Sequence, residues 1–195
     1  VGIVGKYFSS GTFTLSDSYL SVIEAVKHAA WSLRRPVEIT WLNAEAYEQH
    51  PQHLRELGRY QALIVPGGFG ARGVAGKMAV IQYARIRGIP FLGLCYGMQL
   101  MAVEFARHVL KWRDANTTEV NPRTSKPVID LMPEQARLLK EHHLGGSMRL
   151  GAYRCRLTPH TKAAQAYGRR VIDERHRHRY EFNNDFREQL ERAGL

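Results

Sequence analysis

A cysteine flanked by glycines is the first feature of this sequence that could do chemistry. Cys95 is the centre of Gly93-Leu94-Cys95-Tyr96-Gly97, which separates an apolar, strand-like run at 91–94 from an apolar, helix-like run at 98–108. In a nucleophile elbow, small residues two positions before and after the nucleophile let the chain turn sharply and expose the middle side chain. The turn would place the sulfur at a helix N-terminus, which favours the thiolate over the thiol. The pattern predicts a nucleophilic Cys95; the alternative is a structural cysteine in a tight turn.

A glycine-rich loop is the second such feature. Val65-Pro66-Gly67-Gly68-Phe69-Gly70 ends an apolar run at 62–65, and side chains obstruct few of its main-chain N–H groups. Together with the N–H of Tyr96, this loop can supply the donors that stabilise an oxyanion. It lacks the Gly-Lys-Ser/Thr ending of a phosphate-binding Walker loop. A plain glycine turn is the alternative.

Alternating strand-like and helix-like runs must position both loops. The predicted strands cover 1–4, 37–42, 62–65 and 91–94, and the predicted helices cover 19–33, part of 43–59, 77–87 and 98–108, with Asp17 as a possible N-cap. The second half predicts strands at 128–131, 153–157 and 177–182 and a helix at 185–193. The alternation predicts one α/β domain, an open, mostly parallel sheet with helices on both faces. Both loops then lie at the carboxyl ends of parallel strands, where such sheets bind ligands.

Composition excludes several classes of protein. The 195 residues are 44% hydrophobic and 24% charged, as in an ordinary folded domain, and no apolar run approaches the length of a membrane span. The two cysteines, Cys95 and Cys155, exclude a disulfide framework and a CxxC zinc site, so we expect a cytoplasmic protein with reduced thiols. Because the chain opens on a strand-like run without an initiator methionine, we expect a domain of a longer protein.

The chain is strongly basic. Its 28 Lys and Arg residues against 18 Asp and Glu residues give a formal charge of +10, which raises nucleic acid as a partner. The basic residues are scattered, and the one dense run, 175–179, alternates arginine with histidine and has no accompanying zinc-finger or RNA-recognition signature. We therefore expect no specific nucleic-acid partner. A solvated basic face, or one that meets an acidic or phosphate-bearing partner, is the preferred interpretation.

The motifs also carry a family resemblance. The segments 66–70 and 93–99 resemble those of the triad-type, class I glutamine amidotransferases. More narrowly, four segments resemble the glutaminase domain of the CTP synthase family: DANTTE at 114–119, PVIDLMPEQ at 127–135, GGSMRLG at 145–151 and ERHRHRYE at 174–181. The resemblance covers essentially the whole chain and implies the class I amidotransferase fold.

The resemblance implies a role for each residue that matches the family's pattern. Cys95 would attack the side-chain amide of L-glutamine, release ammonia and form a glutamyl thioester. Gly68 and Tyr96 would supply the oxyanion donors and contact the substrate; the family more often has leucine after the nucleophile, which does not matter where only the N–H is used. Gln99, Glu119 and Arg179 would hold glutamine, since arginine can pair with its α-carboxylate and glutamate with its α-ammonium. Without the resemblance, these three would be interpreted as an exposed helix glutamine, a loop glutamate and a solvated arginine.

The mechanism needs a general base, which the resemblance does not place within this sequence. In the family a histidine and a glutamate follow the arginine–histidine run, and residues 1–195 end before such a segment. His176 and His178 are poor substitutes, because the family has this run in addition to the catalytic histidine. We expect residues 1–195 to be an amidotransferase domain without its C-terminal catalytic segment, and to hydrolyse glutamine slowly or not at all.

The resemblance also implies a larger enzyme. That enzyme is a ligase of pyrimidine biosynthesis, in which an N-terminal synthetase domain uses ATP and Mg²⁺ to aminate UTP to CTP, with GTP as a possible activator and a homotetramer as the assembly. For this domain we expect no metal or cofactor and no membrane partner. Arg149, Arg175 and Arg177 are expected on one side of the fold, facing the synthetase domain. The alternative function is a non-catalytic regulatory or assembly module that keeps the amidotransferase fold.

Overall fold

The computed structural model describes residues 1–6, 9–10, 13–14, 19–132 and 148–195. These residues form two compact units, one of Val1–Asp130 with Phe182–Leu195 and one of Leu131–Glu181. Among the described residues, no helix has the length and apolar character needed to cross a bilayer.

The elements of the first half alternate between strand and helix. They are β1 (Gly2–Gly5), β2 (Ser9–Ser10), β3 (Phe13–Thr14), α1 (Leu20–Ser32), β4 (Thr40–Asn43), α2 (Ala44–Gln49), a 3-10 helix (Pro51–Arg59), β5 (Leu63–Val65), α3 (Val74–Arg87), β6 (Phe91–Gly93) and α4 (Tyr96–His108).

The second half is less regular. Its elements are β7 (Ala115–Thr117), β8 (Lys126–Leu131), β9 (Arg149–Arg156), α5 (Lys162–Tyr167), β10 (Val171–His178), β11 (Tyr180–Phe182), a short 3-10 helix (Asn184–Phe186) and α6 (Arg187–Arg192).

A four-stranded sheet is the core of the first unit. Its order is β4-β1-β5-β6, and all its neighbours pair in parallel, as the alternation of elements predicted. Ile3 of β1 and Ile64 of β5 face α1 and pack against Ile23. Because successive strand residues point to opposite faces, Val4 and Val65 lie on the other face, and both are completely buried.

Helix α4 packs very closely on that second face. A Cβ built on Gly97 would lie 1.9 Å from the carbonyl oxygen of Val65, so only glycine permits this approach of α4 to β5. Similarly, a Cβ on Gly76 would lie 1.8 Å from the carbonyl oxygen of Ala44, which brings α3 against α2. The helices on both faces of the sheet confirm the predicted fold class.

Most of the predicted elements are present with shifted ends. Helix α3 begins three residues earlier than the 77–87 prediction, and α4 begins immediately after Cys95. Tyr19 is the N-cap residue of α1; Asp17, predicted for that position, lies outside the described residues. The predicted strand at 177–182 is instead the end of β10 and the separate β11. Strand β7 and helix α5 were not predicted.

The second unit is built on an antiparallel ribbon of β9 and β10. Its register pairs Arg149 with His178 and Arg156 with Val171. Arg175 and Arg177 pair with Ala152 and Leu150 and are exposed on one face. Arg149 lies on the opposite face, where its guanidinium stacks 4.0 Å from the ring centroid of Tyr153. The prediction that Arg149, Arg175 and Arg177 share one side is therefore wrong for Arg149, because the register gives Arg149 the parity of His178.

Candidate active site

Cys95 occupies the sharp turn between β6 and α4. Its backbone has φ 52° and ψ −107°, an unfavourable conformation for a residue with a Cβ, and its side chain is exposed. A Cβ on Gly93 would lie 2.7 Å from the carbonyl carbon of Gly97. The glycines two positions before and two positions after the cysteine therefore let the backbone of β6 come into contact with the first turn of α4. This geometry is that of the predicted elbow, with an exposed cysteine at its centre.

The surroundings of the thiol do not favour the thiolate overall. Burial of the thiol by surrounding protein atoms raises the pKa of Cys95 above its ordinary value, although the main-chain N–H groups of Tyr96 and Gly68 and the charge of Lys77 lower it. The negative charge of Glu119 raises this pKa further. The prediction that the helix N-terminus would favour the thiolate is wrong as a net effect, because desolvation outweighs the donors.

The glycine-rich loop lies against the cysteine. A Cβ on Gly67 would be 3.5 Å from the Cβ of Cys95 and 3.8 Å from its Sγ. The N–H of Gly68 and the N–H of Tyr96 both interact with the sulfur, so the two predicted oxyanion donors converge on Cys95. Two N–H groups directed at one point beside a nucleophile can stabilise negative charge on an oxygen bonded to the attacked carbon.

Hydrogen bonds hold the far end of this loop. The N–H of Gly70 donates to Oε1 of Glu119 at 2.8 Å, and the hydroxyl of Tyr96 donates to the carbonyl oxygen of Gly70 at 2.8 Å. The ammonium of Lys6 donates to the carbonyl oxygen of Phe69. Tyr96 thus serves twice, through its N–H at the sulfur and through its hydroxyl on the loop.

Three residues were predicted to hold glutamine. Gln99 follows Cys95 by one helical turn and is only 4% exposed, so the alternative of an exposed helix glutamine is wrong. Glu119 is half-buried beyond β7, and its carboxylate binds the loop at Gly70. Arg179 is half-buried in the second unit, between β10 and β11, and is not the solvated arginine of the alternative interpretation. The structure therefore brings Glu119 and Gln99 to the elbow's neighbourhood within the first unit.

The histidines considered as substitute bases belong to the second unit. Nδ1 of His176 lies 3.2 Å from Nδ1 of His178, and Tyr153 packs edge-on against His176. Burial, His176 and Arg149 lower the pKa of His178. Among the described residues, no group of three His, Cys, Asp or Glu side chains is arranged to hold a metal ion.

Two buried lysines near the loop were not predicted. Lys77 of α3 is completely buried and Lys6 is 5% exposed. Their Nζ atoms lie 5.7 Å and 5.8 Å from the ring centroid of Tyr96. Because lysines are expected on the surface, the sequence does not predict that these two are buried. The only sequence signal for burial of Lys77 is that its neighbours along α3 are apolar.

Comparisons with known proteins agree with this geometry. Residues 14–195 match the family glutamine amidotransferase class-I. Over the whole chain, the sequence is 52% identical to a CTP synthase of Herpetosiphon aurantiacus and 50% identical to one of Bacillus cytotoxicus, and it spans 35% of the length of each.

A solved structure is similar in both fold and sequence. It is the glutaminase domain of Trypanosoma brucei CTPS with bound acivicin, which superposes with a TM-score of 0.86 over 99% of this chain and 71% of that chain at 34% identity. The family resemblance seen in the motifs is confirmed, and the similarity to CTP synthases is confined to their glutaminase part. The chain belongs to the class I glutamine amidotransferase family.

Proposed function

We propose that Cys95 of this chain is the nucleophile of a glutaminase, which hydrolyses L-glutamine and releases ammonia. One observation carries the proposal: an exposed cysteine stands at a positive-φ elbow with the N–H groups of Gly68 and Tyr96 directed at its sulfur. A structural cysteine has no use for two converging main-chain donors or for a strained turn. Membership of the amidotransferase family supplies the substrate, since the amide of glutamine is what such a nucleophile attacks.

The proposed reaction proceeds through a thioester. The thiolate of Cys95 attacks the amide carbon, a C–S bond forms, and the carbonyl electron pair moves to oxygen, where the N–H groups of Gly68 and Tyr96 bind it. The C–N bond then breaks and the nitrogen leaves with an added proton as ammonia. Water attacks the thioester carbon, giving glutamate and restoring the thiol.

Deprotonation of the thiol is the demanding step. Because burial raises the pKa of Cys95, the thiol form predominates at neutral pH. A general base must therefore take the proton of the thiol before the sulfur can attack. In the family that the motifs resemble, a histidine has this role. The proposal is therefore best tested through the reactivity of the thiol, which does not require the complete cycle.

Substrate recognition follows from the charges of glutamine. Glu119 uses Oε1 for the N–H of Gly70, and we assign its second oxygen to the α-ammonium group. Arg179 is assigned to the α-carboxylate, which its guanidinium can bind through two parallel hydrogen bonds. Gln99, which is buried one helical turn beyond Cys95, is assigned to the part of the site that holds the side chain of glutamine.

We further propose that the ammonia serves the amination of UTP to CTP. The relatives named CTP synthase support this, and the chain corresponds to 35% of their length. In that enzyme ATP, Mg²⁺ and UTP belong to the synthetase domain, which is the proposed intramolecular partner. GTP activation, a homotetramer and a cytoplasmic location are parts of the same proposal, as is the absence of a cofactor in this domain.

Labelling with a diazo-ketone analogue of glutamine tests the proposal. The analogue should alkylate Cys95 selectively, and mass spectrometry of peptides should show little modification of Cys155, which is the internal reference on β9. Cys155→Ser should label like the unchanged chain, and Cys95→Ser should not label. Excess free L-glutamine should protect Cys95. Equal labelling of both cysteines, or labelling that glutamine does not slow, would favour the non-catalytic module.

A further inference from the structure

A buried lysine beneath the glycine-rich loop is used by no step of the proposed reaction. Lys77 is completely buried, and no carboxylate among the described residues forms an ion pair with it. Placing an ammonium group in the interior without a counter-charge is unfavourable. Burial and the nearby ammonium of Lys6 accordingly lower the pKa of Lys77 to about 8. An aliphatic side chain would fill this space at lower cost, so packing alone does not explain a lysine here.

The ammonium group of Lys77 contacts the loop from its inner side. Its Nζ lies 3.5 Å from the carbonyl oxygen of Pro66, to which it donates a hydrogen bond. A Cβ built on Gly68 would lie 3.5 Å from the same Nζ, so no side chain separates the charge from this residue. The Nζ also lies 5.7 Å from the ring centroid of Tyr96, the residue that carries the other donor. The charge therefore stands behind both oxyanion donors.

The charges of Lys77 and Cys95 act on each other. The Lys77 ammonium lowers the pKa of Cys95, and the Cys95 thiolate raises the pKa of Lys77. In the proposed reaction, negative charge forms on the sulfur and then moves to the oxygen bound by Gly68. A fixed positive charge behind the loop attracts both, in a region where surrounding protein weakens screening by water.

We propose that Lys77 is a positioning residue of the glutaminase site, which holds the Pro66–Gly68 segment through its carbonyl and favours negative charge at Cys95. This inference rests on the proposed function for its catalytic consequence, but its effect on the thiol can be measured separately. The hydrogen bond to the carbonyl of Pro66 fixes the peptide plane between Pro66 and Gly67, which precedes the N–H of Gly68 that interacts with the sulfur. The lysine thus acts through the loop and through its charge, without touching the substrate.

Lys6 provides the comparison. It donates to the carbonyl oxygens of Phe69 and Gly70, the latter at 3.5 Å, so it holds the far end of the same loop. Burial and the charge of Arg72 lower the pKa of Lys6, and two carboxylates, Glu119 and Glu45, partly offset this effect. Lys6 is not among the groups that shift the pKa of Cys95. The charge of Lys6 is partly compensated by these carboxylates, whereas the charge of Lys77 acts on Cys95.

The test is the pH profile of thiol alkylation in the whole chain. The rate of reaction of Cys95 with iodoacetamide is measured from pH 6 to 10 by peptide mass spectrometry, with Cys155 as the reference in the same samples. Lys77→Met should lower the rate for Cys95 about 3-fold at pH 7, where Lys77 of the unchanged chain is charged, and this difference should shrink above about pH 8, where Lys77 loses its proton. Lys77→Arg, which keeps the charge, and Lys111→Met, which removes an exposed lysine, should keep the rate of the unchanged chain at pH 7. The profile of Cys155 should be the same in all variants.

Two outcomes would overturn the inference. An unchanged rate at pH 7 in Lys77→Met would show that the charge of Lys77 does not reach the sulfur. A loss of rate in Lys77→Arg equal to that in Lys77→Met would show that packing, and not charge, is responsible.

A second measurement needs no substitution. The ammonium group of Lys77 is titrated by NMR in two samples of the chain. In the first, Cys95 carries a neutral carbamidomethyl group; in the second, Cys95 carries a negative carboxymethyl group. The pKa of Lys77 should be higher in the second, and equal values would contradict the inference. Failure of the diazo-ketone labelling would remove the proposed function while leaving these results to decide the role of Lys77.

Discussion

Replacing Lys77 by methionine should make the folded chain more stable at neutral pH. The pKa of Lys77 is lowered from 10.5 to about 8, which corresponds to about 3 kcal/mol of unfavourable free energy for the charged form in the folded state. Methionine has a similar length and no charge, so Lys77→Met removes this cost. It also removes the hydrogen bond to Pro66, which we set at about 1 kcal/mol. The expected net gain is about 2 kcal/mol.

The same numbers fix how the gain depends on pH. Between about pH 8 and pH 10.5 the unfolded chain keeps the proton of Lys77 while the folded chain loses it. The unfolded state then binds more protons, so the stability of the unchanged chain rises with pH through this window. The advantage of Lys77→Met should therefore shrink from about pH 8 upward. By pH 10.5 the variant should be about 1 kcal/mol less stable, since only the lost hydrogen bond remains.

Urea unfolding at pH 7, 8, 9 and 10 measures this difference. At pH 7 the variant's melting temperature should also rise by about 4–8 °C, given the size of the chain. Lys111→Met, which removes an exposed lysine, is the control and should change the free energy of unfolding by less than about 0.5 kcal/mol. A variant that is less stable at pH 7, or an advantage that does not change with pH, would refute the reasoning.

Three further predictions concern the elbow and the core. Gly97→Ala should lower the free energy of unfolding in urea by about 3 kcal/mol or more, because its Cβ would lie 1.9 Å from a β5 carbonyl oxygen. The control Gly88→Ala, at φ 67° with open space around it, should lower it by about 1 kcal/mol. Glu104→Gln should lower the free energy of unfolding by about 2–3 kcal/mol, because it leaves the guanidinium of Arg85, which Glu104 binds at 2.7 Å, without its counter-charge. The control Glu191→Gln, at an exposed ion pair, should lower it by less than about 0.5 kcal/mol, and equal losses would contradict the prediction. The rate of Cys95 alkylation should still be rising at pH 9, because the pKa of the thiol is raised, and a plateau below pH 8 would show the opposite shift.

The local sequence was sufficient to predict the elbow at Cys95. The glycines at 93 and 97 are required by contacts with residues close in the chain and with the adjacent strand, and these contacts recur wherever a strand turns sharply into a helix. The position of the glycine-rich loop followed from the parallel sheet, since both loops end strands that are neighbours in it. The predicted ends of the helices and strands were less accurate, because apolar periodicity does not show at which residue a helix begins.

Properties that depend on the balance of several groups could not be predicted. The pKa direction of Cys95 was wrong because the sequence shows the helix N-terminus but not the amount of protein around the sulfur. The face of Arg149 was wrong because the register of β9 with β10 depends on the turn between them. Neither quantity is a property of a short segment.

The amino-acid sequence alone therefore determined the glycine-framed turn around Cys95 and the family, since each depends on residue types at short spacings. The tertiary structure alone decided which distant groups meet behind that turn. Lys77 is far from Cys95 along the chain, and only the packing of α3 beneath the loop brings its charge to the donors. Charge interactions act through space, and so their partners become known only when the fold sets the distances.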